Sequence, residues 1–195
     1  MGLPRIVRLF ALGIAVLSVA GCAASVRFYV NPQADMSYYK KVAVLPFSNL
    51  TQQGFAGERV TRAFVTELVI ADRFRVVEAS DFRAALAQVG VESNIEGGID
   101  PEKLKEAAAR VGATGVVRGA VTEYQMQRAG QDEVPVVGFD VELLDAATGN
   151  VVWRVSLSRR GHGRLPLVGG GARSFGRVTQ EACEQAVAVL RGKAF

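Results

Sequence analysis

The sequence predicts one α/β (α+β) domain, a mixed sheet of about five strands packed by about four helices in the order β-α-β-α-α-β-β-β-α. Three observations carry that expectation. A short apolar run, a segment of helical period and a second apolar run follow one another from Lys41 to Glu78, which is the pattern of a βαβ unit with parallel strands. Two segments between Val136 and Ser158 each set an apolar residue at every second position, on either side of one turn, the pattern of an antiparallel pair. Finally, the roughly 155 residues from Lys40 to the end suit a single core, and no repeat or low-complexity tract divides them.

In order, Lys41-Val42-Ala43-Val44-Leu45-Pro46-Phe47 reads as a buried strand stopped near Pro46. Val60, Phe64, Leu68 and Ala71 then recur at helical spacing, predicting a helix from about Gly54 to Ala71. Phe74 to Glu78 is the next strand. Ser80 is the expected N-cap of a helix carrying Phe82, Leu86 and Val89, with Gly90 as its stop. After a loop through Glu92 to Gly98, Asp100-Pro101 supplies the N-cap and first-turn proline of a third helix, whose apolar face is Leu104, Ala107, Ala108 and Val111. Thr114 to about Gln127 is strand-like, with Gly119 a bulge or close-packing position. Val137, Phe139, Val141 and Leu143 share one face of the following strand, and Val151, Trp153, Val155 and Leu157 one face of the last. Asp145 to Asn150 turns the chain between them. A glycine-rich loop, Gly161 to Gly176, leads to a helix ending near Arg191. The last three strands form an antiparallel meander.

Ahead of the domain, Arg5 and Arg8 precede the apolar run Leu9 to Leu17, and Val19-Ala20-Gly21-Cys22 closes the segment. A charged region, a short apolar region and small residues before a cleavage point make a secretory leader, too short to span a bilayer. The thiol makes it a lipoprotein leader. Residues 1–21 are expected to be removed between Gly21 and Cys22, leaving Cys22 acylated, and residues 22–39 to form the lipidated N-terminus and a short tether. Each buried methylene contributes about 0.8 kcal/mol, so two or more acyl chains anchor the chain stably to a membrane. Ala23 in place of an aspartate favours the periplasmic leaflet of the outer membrane. The expected domain is then residues 40–195.

Charge and chemistry narrow the function classes. Of 23 Lys and Arg, Arg5 and Arg8 leave with the leader, and 19 Asp and Glu nearly balance the rest. Overall charge therefore gives no reason to expect nucleic acid. Cys22 is consumed by lipid, so Cys183, on an apolar helix face, is expected to be a buried core thiol with no disulfide partner. Gly169 to Gly176 lacks the Gly-Lys-Ser/Thr ending of a phosphate loop, and Ser174 stands where a dinucleotide fingerprint needs glycine. His162 is the single histidine, which leaves no Cys/His metal set and no assembled catalytic group. Neither an enzyme nor a cofactor is expected. From Ala146 to Gln180 there is no acidic residue, whereas Arg154, Arg159, Arg160, Arg164, Arg173 and Arg177 lie there. Guanidinium forks bind carboxylate and phosphate, so Arg159, Arg160, Arg164 and Arg173 are candidate contacts for a protein partner or an anionic surface.

Lys41-Val42-Ala43-Val44-Leu45-Pro46-Phe47-Ser48-Asn49-Leu50-Thr51, Arg73 to Glu78, Gly112 to Gly119 and the Asp145…Thr148-Gly149…Val152-Trp153 hairpin together resemble the CsgG/LpoB/FlgO superfamily of bacterial envelope lipoproteins, related in fold to the TolB amino-terminal domain. The resemblance covers about residues 40 to 192. It implies a non-enzymatic domain that binds other proteins in secretion, appendage assembly or control of cell-wall synthesis. The expected function is an assembly or accessory module of the envelope, possessing self-association as one option, and the alternative is an oligomeric component of a CsgG-like export channel. Two departures stand against the nearest analogies. The connection Arg128 to Val134 is too short for a pore-forming hairpin. A tether of about 17 residues reaches at most roughly 60 Å, short of the long tethers of LpoB-like activators.

Overall fold

In the computed structural model, residues 26–91, 99–163 and 174–194 are described. Their order is β1 (Val26–Val30), a 3-10 turn (Met36–Tyr38), β2 (Lys41–Val44), β3 (Ser48–Asn49), α1 (Ala56–Ile70), β4 (Arg75–Val76), α2 (Ala79–Gln88), α3 (Pro101–Arg110), β5 (Gly115–Ala129), β6 (Asp132–Asp145), β7 (Val151–Arg160) and α4 (Phe175–Ala194). The mixed single-domain class and its four helices agree with expectation. The sheet has seven strands rather than about five, in the order β1-β7-β6-β5-β2-β4, with β3 paired to β5.

Both extra strands are short. Val26-Arg27-Phe28-Tyr29-Val30 lies in the stretch expected to be tether, yet four of its five residues are β-branched or aromatic, and it pairs antiparallel with β7, Val26 opposite Leu157 and Val30 opposite Trp153. β3 adds two residues beside Ala120 and Val121 of β5. The βαβ expectation holds, since β2 pairs parallel with β4 and with β5, and β5-β6-β7 is an antiparallel meander.

Two apolar layers hold the sheet. On one face α1 and α4 bury Val60, Phe64, Leu68, Val178, Ala182 and Val187 against Val42, Val121, Phe139, Val141, Trp153 and Val155. On the other, α2 and α3 bury Phe82, Leu86, Leu104 and Ala107 against Ala43, Leu45, Val116 and Leu144. Cys183 is fully buried in the first layer, and its thiol lies 3.8 Å from the Val60 carbonyl.

Local chemistry explains most boundaries. Asp100 caps α3 by accepting from the Glu102 amide at 2.8 Å, with Pro101 in the first turn. Gly90 and Gly112, at φ 72° and 64°, end α2 and α3. Ser80 is not the N-cap of α2; Glu78 holds that position without a side-chain bond, and Ser80 lies inside the first turn. The β5 register shift falls between Val121 and Glu123 rather than at Gly119. Gly119 is a close-packing position instead, because a Cβ there would sit 2.7 Å from the Asp140 carbonyl oxygen and 3.0 Å from the Phe47 ring. The β6–β7 turn closes on Asp145, whose carboxylate accepts from the amides of Ala147 at 2.9 Å and Thr148 at 2.7 Å.

Candidate functional site

Among the described residues the sheet ends at two edge strands, and they differ. β1 forms one. Its Arg27, Phe28 and Tyr29 are exposed, and the edge has no helix over it among the described residues. β4 forms the other and sits at the bottom of a cleft of about 700 Å³, whose walls are α1, through Val65 and Val69, and α2, through Phe82 and Leu86. Glu58, Arg62, Glu78 and Arg83 line its rim. Val69 and Ile70 at the end of α1 are 59% and 65% exposed, an apolar surface that the helix does not turn toward the core.

Of the sequence-predicted contacts, Arg159 and Arg160 end β7. Val19, Ala20, Gly21, Cys22, Arg164 and Arg173 lie outside the described residues, as does the loop of Glu92 to Gly98. Arg159 is held inside the fold: its Nε donates to Glu181 at 3.0 Å and its Nη1 to Gln185 at 3.1 Å. Arg177 donates to the same Glu181 at 2.9 Å. Arg154 and Arg118 both meet Glu142, Arg154 at 4.0 Å. Arg154, Arg159 and Arg177 of the acid-free stretch are thus met by carboxylates from α4 and β6, which lie outside it in sequence and beside it in space. Arg160 instead donates to the neutral amide oxygen of Gln127.

Titratable groups elsewhere are structural. Burial, reinforced by Glu67, pushes the Cys183 thiol well above its usual range, so it is no nucleophile at neutral pH. Burial also raises Tyr39 to about 12, helped by its hydrogen bond to Asp145 at 2.8 Å. Asp145 pays for burial too, but the bonds from Tyr39, Thr148 and Ala147 outweigh that and hold its carboxyl below the ordinary value. Among the described residues no three His, Cys, Asp or Glu side chains converge on a metal position.

Glu67 gives a test of this layer. Burial and the nearby Glu184 raise its carboxyl above the ordinary 4.5, against a hydrogen bond with Gln180. The folded state therefore holds the proton more tightly than the unfolded chain, and stability falls as pH rises from 4.5 through the folded value. Glu67→Gln keeps the bond and removes the charge. Its Tm at pH 7 is expected to rise above that of the parent, with the two converging near pH 4; a lower Tm at pH 7 would contradict the assignment.

Sequence reasoning missed β1 and the cleft. Four β-formers in five residues are signal enough for β1, whereas the Val65 and Val69 stripe is visible only once α2 and β4 are set beside it.

The sequence matches the family described as "Peptidoglycan-synthase activator LpoB" over residues 21–156. The fold is similar to that of the PelC dodecamer from Paraburkholderia phytofirmans, at 26% identity over 86% of this chain and 97% of that one, TM-score 0.53. A variant of the same dodecamer gives 24% identity, 85% and 96% coverage and a TM-score of 0.59. Lipoprotein GNA1162 from Neisseria meningitidis is 21% identical over 80% of this chain and 98% of its own, TM-score 0.53. No curated protein matches.

Proposed function

The chain belongs to the peptidoglycan-synthase activator LpoB family, and from that premise we propose that it is a non-enzymatic accessory lipoprotein of the bacterial envelope. Acylated Cys22 holds it on the periplasmic face of the outer membrane, where it works by binding proteins, its own copies among them. The observation that carries this reading is the spacing from anchor to fold. β1 begins at Val26, so Ala23, Ala24 and Ser25 alone separate Cys22 from the sheet. Fully extended, that connection spans about 14 Å. A domain held so close acts at the membrane surface and has no reach across the periplasm.

The family match begins at Gly21, so it takes in Cys22. Self-association is supported by the 26% identical PelC, a dodecamer. A second reading, contact with a peptidoglycan synthase, is favoured by the family's own description; the short connection then requires the synthase to come to the outer membrane. Of the two described candidates, Arg160 is better placed for a partner than Arg159, which is engaged with Glu181 and Gln185. Co-expression of two differently tagged full-length copies tests the first reading. They should co-purify from detergent-extracted outer membranes; recovery of one tag without the other would overturn it.

A further inference from the structure

We propose that the loop joining β3 to α1 is a second membrane contact, Leu50 and Phe55 entering the lipid interface beside the acyl anchor. This contact rests on the anchoring at Cys22 proposed above and names the part of the domain that the anchor brings against the bilayer.

Phe55 stands at the N-cap of α1 with φ at 63°, in the left-handed region, and makes no side-chain capping bond. The other non-glycine residue of positive φ among the described residues is Asp72, a type that tolerates this region. A phenylalanine there is costly, because its Cβ crowds the backbone, and glycine or asparagine would hold the same turn with less strain. Burial of the ring would offset that cost, yet it is 72% exposed, and Leu50 at the other end of the loop is 68% exposed. The fold keeps a strained aromatic residue that its own core does not use, which directs the side chain to a surface outside the chain.

The loop is also stiff. Asn49 accepts from the Thr51 amide at 3.0 Å and the Thr51 hydroxyl at 2.7 Å, and donates to the Gln53 carbonyl at 2.9 Å. The first turn of α1 is pressed onto the chain entering β3, where a Cβ on Gly57 would lie 2.3 Å from the Phe47 carbonyl oxygen. Leu50 and Phe55 are thus held outward with little freedom left to lose on docking.

Register places the loop at the anchor's end of the sheet. Val26 opposes Leu157, Leu157 opposes Phe139 and Phe139 opposes Val121, whose carbonyl accepts from the Leu50 amide at 2.9 Å. β1 therefore begins in the row where β3 stops, four strand steps or about 19 Å away. β1, β7, β6 and β5 alternate in direction and β3 is parallel to β5, so the start of β1 and the end of β3 belong to the same end of the sheet. Met126, 47% exposed further along β5, lies toward that end too. With Cys22 no more than about 14 Å from Val26, the bilayer comes within reach of all three side chains. Two or three apolar side chains fall far short of an acyl chain, and one such chain is itself a marginal anchor, so the loop orients the domain on the lipid and does not hold it there.

Full-length acylated protein tests this with an environment-sensitive maleimide dye on Gln52→Cys, an exposed position in the loop, and on Ala147→Cys, exposed in the β6–β7 turn at the opposite end. Cys22 carries lipid and Cys183 is buried, so neither competes for the dye. The proteins are bound to vesicles of phosphatidylethanolamine and phosphatidylglycerol, with and without nitroxide-bearing lipid. The dye at residue 52 should emit further to the blue than the dye at residue 147 and lose most of its emission to the nitroxide lipid, and adding Leu50→Asn and Phe55→Asn should abolish both effects. Protein that floats with the vesicles but gives the two positions the same spectrum would overturn the contact and leave the anchor standing. A blue shift without quenching would set the loop against protein instead of lipid, and a quenched signal that survives the two asparagines would reflect the anchor alone; either overturns the proposal. Protein that does not float with the vesicles overturns the anchoring at Cys22, and this contact with it.

Discussion

Cys22→Ser, exported behind an ordinary cleavable leader, is expected to leave the outer-membrane fraction entirely and to appear as a folded protein in the soluble periplasm. Serine cannot take the thioether-linked lipid, and at about 0.8 kcal/mol per buried methylene two acyl chains account for essentially all of the membrane affinity. Among the described residues no helix is long and apolar enough to cross a bilayer. The domain itself should be indifferent. Its first described core contacts begin at Val26 and Val30, so the Tm is expected to stay within about 2 °C of the parent. Fractionation by density, followed by thermal melting of each pool, checks both halves. If the released protein supports the envelope phenotype as well as the anchored one, the spacing between Cys22 and β1 has no functional meaning.

Trp153→Ala is expected to be the most damaging single change in the sheet, costing about 3–5 kcal/mol. The indole is completely buried in the layer beneath α1 and α4. Trp153 also pairs with Val30 of β1 on one side and Leu143 of β6 on the other, so a void there loosens the attachment of the edge strand. Its Nε1–H has no hydrogen-bond partner among the described residues. A buried donor left unmade is itself unfavourable by about 1–3 kcal/mol. Trp153→Phe, which loses volume but also removes that donor, should therefore retain most of the stability. Urea unfolding of the two variants decides it, and equal losses would show that the volume the ring fills does not set the cost at this position.

Much of the fold was legible because pattern and environment agree. The alternation in Val137 to Leu143 and Val151 to Leu157 named the buried face of β6 and β7, and Asp100-Pro101 marked the start of α3, since each signal is local. What escaped depends on residues far apart in sequence. The arginine patch was read from a window without acids, yet Glu181 and Glu142 reach into it from α4 and β6. β1 falls in the stretch that follows the expected anchor, where a tether is the default, although Val26, Phe28, Tyr29 and Val30 favour a strand. That one strand changes the functional reading, since it shortens the connection to Cys22.

The central claim is that a membrane-apposed module works by assembling with its own kind. Native mass spectrometry of the acylated protein, extracted in mild detergent, tests it most directly. An oligomer of many identical subunits is the predicted result. A monomer that persists at concentrations matching those in the membrane would contradict it.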